Sequence, residues 1–113
     1  MAISFLKLFN PGQLANASAL IYTVPATPTT SLLRNGLVRL TNTTAGAIAA
    51  TLYAVPAAGA AAATNNFLPA VSIPANDFLD VDLPQMAAGD ALYGFASSAT
   101  SISIAAMDGV LQS

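Results

Sequence analysis

Charge is what this chain has least of. Only 7% of its 113 residues are Asp, Glu, Lys or Arg, against about 25% in an ordinary soluble domain. They are Lys7, Arg34, Arg39, Asp77, Asp80, Asp82, Asp90 and Asp108, and none falls between Leu40 and Asn76. A free monomer stays apart from its neighbours through a mixed, charged surface and a net charge away from zero. With a net charge of −2 and so few charges of either sign, much of this surface is expected to lie against other protein. Cysteine is missing, which excludes disulfides, a thiol nucleophile and thiolate metal sites. Histidine is missing as well, removing the usual proton shuttle at neutral pH and the commonest metal ligand. Three basic residues cannot neutralise a row of phosphates, so no nucleic-acid partner is expected. Tryptophan, the usual platform for a sugar ring, is absent too.

A mean hydropathy of +0.64 raises the question of a membrane. The uncharged stretch from Thr41 to Asn76 is broken by Pro56, Pro69 and Pro74, and much of its apolar content is alanine. A spanning helix needs about 20 predominantly apolar residues without such breaks, so no membrane partner is expected. The start MAISFLKLFNPGQLANA has the outline of a signal peptide. Lys7 lies inside its apolar stretch instead of before it, and Asn10, Pro11 and Gly12 break a helix at once, so export by that route is not expected.

What is present is a run of short apolar segments punctuated by Pro, Gly, Asn and Thr, the pattern of an all-β antiparallel sandwich. At 11.3 kDa the chain makes one domain with one core. Eight strands are predicted: Ile3–Phe9, Ser18–Val24, Leu32–Asn42, Ile48–Val55, Phe67–Ile73, Asp77–Leu83, Ala91–Ala96 and Ser101–Met107. Eight short strands suit a jelly-roll and an immunoglobulin-like order equally. Alternation in Ser101-Ile102-Ser103-Ile104 puts the isoleucines inward. In Phe78–Leu83 it puts Leu79, Val81 and Leu83 on one face and Phe78, Asp80 and Asp82 on the other, with Phe78 a candidate exposed contact. Ala88-Gly89-Asp90 supplies a residue that tolerates positive φ. Asn35-Gly36 reads either as a hairpin turn or as a bulge in one long strand. Ala57–Asn66 reads as a surface loop with room for one helical turn. Residues 1–17 carry apolar groups on both faces, so they form either a first strand or an arm that adds to another subunit's sheet. Residues 18–113 form the sandwich.

Little chemistry is offered. Asp80 and Asp82 share a strand face near Asn76 and Asp77, but calcium wants six to eight oxygen ligands and the spacing of a dedicated loop is absent. They read as charges that keep an edge strand from unwanted pairing. Acid–base work by Asp80 with Asp82 or Asp90 has no supporting pattern. Ser and Thr are plentiful, yet no base stands ready to activate one. The chain is expected to be no enzyme and to need no cofactor and no metal. Asn16-Ala17-Ser18 and Asn42-Thr43-Thr44 match glycosylation acceptors in a composition where chance matches are common. Tyr22, Tyr53 and Tyr93 are expected at strand ends with their hydroxyls in water. Arg34 and Arg39 pair either with aspartates of a neighbouring subunit or within the chain.

The start MAISFLKLFNPGQLANA, then LIYTVPATPTTSLLRNGLVRLTNTT, the strand ATLYAVPAAG and the end AAGDALYGFASSATSISIAAMDGV together resemble small structural proteins of tailed bacteriophages. The shared pieces are a YTVPA strand end, an arginine strand closing on NTT, an LY-x-VP strand and an AGD turn entering the penultimate strand. The resemblance implies a β-sandwich virion component on the capsid surface, a decoration or cement protein. Its partners would be major coat protein subunits, and it would act as a homo-oligomer. No catalytic residue carries over. The subunit-interface candidates are Phe5, Leu6, Leu8, Phe9, Arg34, Arg39 and Phe78, with the N-terminal segment and the Ala57–Asn66 loop as preferred contacts. Deleting residues Met1–Asn16 is then expected to abolish particle binding and spare the fold. A tail- or fibre-associated binding module is the alternative; an adhesin or pilus-type subunit would need export.

Overall fold

The computed structural model describes residues 3–5, 9–25 and 32–112. These carry β1 (Ile3–Phe5), β2 (Gly12–Gln13), β3 (Ala19–Thr23), β4 (Leu32–Asn42), β5 (Ile48–Val55), β6 (Asn66–Ile73), β7 (Phe78–Asp82), β8 (Met86–Ala87), β9 (Ala91–Ala96) and β10 (Ile102–Gln112). A 3-10 turn, Ala63–Asn65, falls in the long loop, where Asn65 Oδ1 accepts from the Ala62 amide. The predicted strands over Leu32–Asn42, Ile48–Val55 and Ala91–Ala96 have the bounds expected of them. The last strand runs on to Gln112, past the expected end at Met107, because register shifts around Asp108 absorb its turn-forming residues.

Two antiparallel sheets result. One has the order β1-β10-β4-β7, with β2 also on β10 and β8 also on β4; the other is β3-β9-β5-β6. β1 and β2 lie in turn along β10, and β7 and β8 along β4. Each pair is one strand interrupted near a proline, Pro11 or Pro84, which cannot donate to a ladder. Counted that way the sheets read first–eighth–third–sixth and second–seventh–fourth–fifth. This is one long antiparallel ribbon, with the β5–β6 hairpin at its tip, rolled until its arms meet. The order is that of a jelly roll.

Asn35-Gly36 lies inside β4 as a bulge. Arg34 faces Val110 and Leu37 faces Asp108, so β4 spends one residue more than β10 over this stretch. The extra residue reverses the alternation, which is why Leu33 and Val38 both reach the core. Between the sheets pack Leu33, Val38, Leu40, Val81, Met86, Ile102 and Ile104 from one side and Ala50, Leu52, Ile73, Leu92 and Ala96 from the other. Burying each leucine or isoleucine contributes about 1.5–3 kcal/mol. Gly94 of β9 is required by its neighbours: a Cβ there would sit 2.5 Å from Leu52 Cδ2 and 2.7 Å from the Thr51 carbonyl oxygen. Gly89 takes the positive φ expected of it, +84°.

Asn42, at the end of β4, is fully buried. Its Nδ2 donates to the Gly46 and Ile73 carbonyls at 2.8 and 2.9 Å, and its Oδ1 accepts from the Thr44 amide and hydroxyl at 2.9 and 2.7 Å. The amide thus ties β4 to the end of β6 in the opposite sheet. A side chain so enclosed is not open to glycosylation in the folded protein; Asn16 is exposed. Leu14 is 3% exposed within the core cluster and its amide donates to Ile102 at 2.9 Å. Removing residues 1–16 would therefore take a core side chain with it, and the fold would not be spared.

Asn42→Ala is expected to cost about 1–3 kcal/mol by leaving buried backbone carbonyls unpaired. Gly94→Ala is expected to cost a similar amount through overpacking. Urea denaturation of both variants against the parent protein checks this, with an exposed control such as Ser72→Ala unchanged.

Candidate functional site

The two outer faces of the sandwich differ in chemistry. Every charged residue within the described strands belongs to the first sheet: Arg34, Arg39, Asp80, Asp82 and Asp108. β3, β5, β6 and β9 contain none.

On the charged face, β4–β7 pairing sets Arg39 opposite Asp80 and Thr41 opposite Phe78. Arg39 Nε and Nη2 donate to the two Asp80 carboxylate oxygens at 2.7 and 3.0 Å, and the guanidinium carbon lies 4.2 Å from the centre of the Phe78 ring. Of the alternatives for Arg39, the described residues thus contain the pairing within the chain. The hydrogen bond from Arg39 holds the Asp80 carboxyl below its ordinary value despite some opposing desolvation, and the same bond pushes the guanidinium up. With side chains 38% and 37% exposed, water screens the pair and its contribution to stability is small. Phe78 is 52% exposed, as the alternation predicts. Beyond this pair, Arg34, Asp82, Gln85 and Asp108 border a cleft of about 570 Å³ with Gly36, Leu37 and Leu83.

The uncharged face is built on β5 and β9. Their register places Tyr53 directly opposite Tyr93 and Thr51 opposite Phe95, and β3 sets Leu20 beside Tyr93. Leu52, Leu92 and Gly94 point the other way, into the core, so alternation brings Tyr53, Tyr93 and Phe95 outward together. Tyr53 and Phe95 stack with centroids 6.4 Å apart. Ala49 and Ser72 extend the face, and the Thr51 hydroxyl is engaged by the Ala70 amide at 3.2 Å. Tyr53 and Tyr93 therefore sit within their strands, not at the ends where they were expected. Tyr22 instead packs against the core, 6.0 Å from Phe9, and burial pushes its hydroxyl pKa up.

Of the interface candidates, Arg34, Arg39 and Phe78 share the charged sheet. Phe9 is half-buried against the core. Phe5 pairs with Val110 through β1, and Leu6 and Leu8 lie outside the described residues. The Tyr53–Tyr93–Phe95 group was missed by sequence reasoning. Its one signal was the lack of charge from Leu40 to Asn76, but which residues alternate outward on two paired strands follows only from their register. Asp90 is held structurally, its carboxylate accepting the Ala57 and Ala87 amides at 3.1 and 2.9 Å. Among the described residues no three Asp, Glu, His or Cys side chains converge as a metal site requires, and no helix is long and apolar enough to cross a membrane.

The molecule is thus a jelly-roll sandwich with one charged and one uncharged, aromatic face. A chain in the structure of infectious bursal disease virus, Gx strain, is similar over 97% of this chain, with a TM-score of 0.50 at 15% sequence identity. The likeness, which at this identity concerns the fold alone, spans 30% of that viral chain. No protein-family model and no curated protein sequence matches.

Asp80 titrates with a lowered midpoint in the folded protein, so the stability its pair supplies is present above the unfolded aspartate value. That stability is lost as pH falls through the folded one. NMR titration is expected to place the Asp80 carboxyl below the ordinary aspartate value of 3.8, and Arg39→Gln to return it upward.

Proposed function

We propose that this chain is a structural protein of a virus particle, a decoration or cement protein that bridges neighbouring coat subunits on the capsid surface. The observation that carries the reading is the uncharged outer face around Tyr53, Tyr93 and Phe95. Burying such a face against another protein costs no charge desolvation, and aromatic side chains are the usual anchors of a partner surface. Two further points support it: the jelly-roll likeness to a chain of a virus structure, and the segments that resemble structural proteins of tailed phages. A cement protein binds at many places at once, so each contact can be modest. The major coat protein is the partner in this reading. The charged sheet, with Arg39 and Asp80 neutralising each other, is the side turned to solvent.

The test is the copy number of this chain relative to the major coat protein in purified particles, by quantitative mass spectrometry. A ratio near one, or a simple fraction of it, is expected. A few copies per particle would make it a tail- or fibre-associated module, and absence from particles would overturn the reading. On the same particles, Ser72→Lys should weaken binding roughly tenfold, about 1.4 kcal/mol, by placing a charge on the buried face. Ser103→Lys on the opposite sheet should leave occupancy unchanged.

A further inference from the structure

Among the described residues the two sheets have four edges, of which two are interrupted and a third is irregular. β1 and β2 are separated around Pro11, β7 and β8 around Pro84, and β6 contains Pro69 followed by Ala70 at a φ of +30°. Prolines, charges and irregular backbone are how edge strands avoid pairing with other chains. β3 has neither proline nor charge, and no charged residue occurs anywhere from Leu8 to Leu33. Its one irregularity is a register shift between Leu20 and Tyr22 in its pairing with β9. Among the described residues nothing pairs with its outer edge, which leaves a row of backbone donors and acceptors about 17 Å long.

Beside this edge, where the sandwich opens between β2 and β3, lies a groove of about 230 Å³. Phe9, Leu14, Ala19, Ile21 and Ile104 give it an apolar lining. Leu20 stands on its rim and is 56% exposed, more than any other large hydrophobic side chain among the described residues. An exposed apolar side chain and an apolar groove therefore lie close to one strand edge that carries neither proline nor charge.

We propose that β3 pairs antiparallel with β3 of a second copy of this chain. Pairing of an edge with itself about a two-fold axis is self-complementary and closes at two subunits. Backbone hydrogen bonds supply affinity, and the exposed Leu20 of each copy, set beside Tyr93 on the outer face, is covered where the two uncharged faces join. No charge lies on either β3 to oppose the approach. The two four-stranded sheets become one eight-stranded sheet, and their uncharged faces join. This pairing is a property of the chain in solution and holds independently of any particle.

The test is sedimentation equilibrium of the purified protein over a range of concentrations, together with hydrogen–deuterium exchange of the β3 amides. A dimer with protected β3 amides is expected. Leu20→Lys should raise the dimer dissociation constant at least roughly tenfold and expose those amides, while Phe78→Lys, on the other sheet, should change neither. Circular dichroism shows whether each variant keeps its β structure. Should Leu20→Lys lose it, Ala19→Lys, also at an exposed position, makes the same test. A protein monomeric at every concentration overturns the proposal, as does a folded Leu20→Lys or Ala19→Lys variant that still dimerises. Loss of the dimer in Phe78→Lys overturns it too. Because no particle enters the experiment, its failure leaves the copy-number test untouched.

Discussion

The pairing of β10 with β4 is the seam on which the remaining structure depends. Without it the chain is an open ribbon in which each strand has found its sequence-symmetric partner but neither face is covered. Bringing the first and last arms against the third strand closes the roll, stacks one sheet on the other and creates a dry interior. The register, from Ile102 opposite Asn42 to Gln112 opposite Leu32, decides which side chains enter that interior. The bulge at Asn35-Gly36 belongs to the same constraint. It reverses the alternation midway so that both halves of β4 present apolar residues inward. Asn42 ties the end of the seam to the opposite sheet through its hydrogen bond to the Ile73 carbonyl.

With so few charges, their placement carries unusual weight. A chain that confined them to loops would have two similar faces. Here the strand charges all fall on one sheet, where Arg39 and Asp80 satisfy each other beneath a phenylalanine ring. The other sheet is left with tyrosine, phenylalanine, alanine, serine and threonine. A face of that kind presents large contact area with no ions to strip of water, and it suits a protein whose working state is surrounded by other protein. In the proposed particle the charged sheet would be the side left in solvent.

Edges follow the same economy. Proline lies at three of the four, yet β3, one of the two strands that border the uncharged face, is free of proline and of charge. Joining two copies there would extend the uncharged face without altering its chemistry. A larger face that makes several weak contacts together binds far more tightly than its parts.

The strands themselves were legible because their apolar runs and turn residues are local signals. Leu32–Asn42, Ile48–Val55 and Ala91–Ala96 need no tertiary contact to be recognised, and Ile102, Ile104, Val81 and Leu83 announced their inward faces by alternation. Composition likewise excluded thiol and imidazole chemistry, since the chain has neither cysteine nor histidine. What stayed hidden depends on which strand lies beside which. The sandwich order, the continuation of β10 through Asp108 and Gly109, and the splitting of the first and sixth strands are set by partners distant in sequence. The aromatic face is the clearest case. Tyr53 and Tyr93 are 40 residues apart, and only the register of β5 on β9 makes them neighbours. Arg39 could have met an aspartate of its own chain or of another until β7 was laid against β4. Local pattern decides which residues are strand and which way they alternate; only closure of the roll decides what they alternate against.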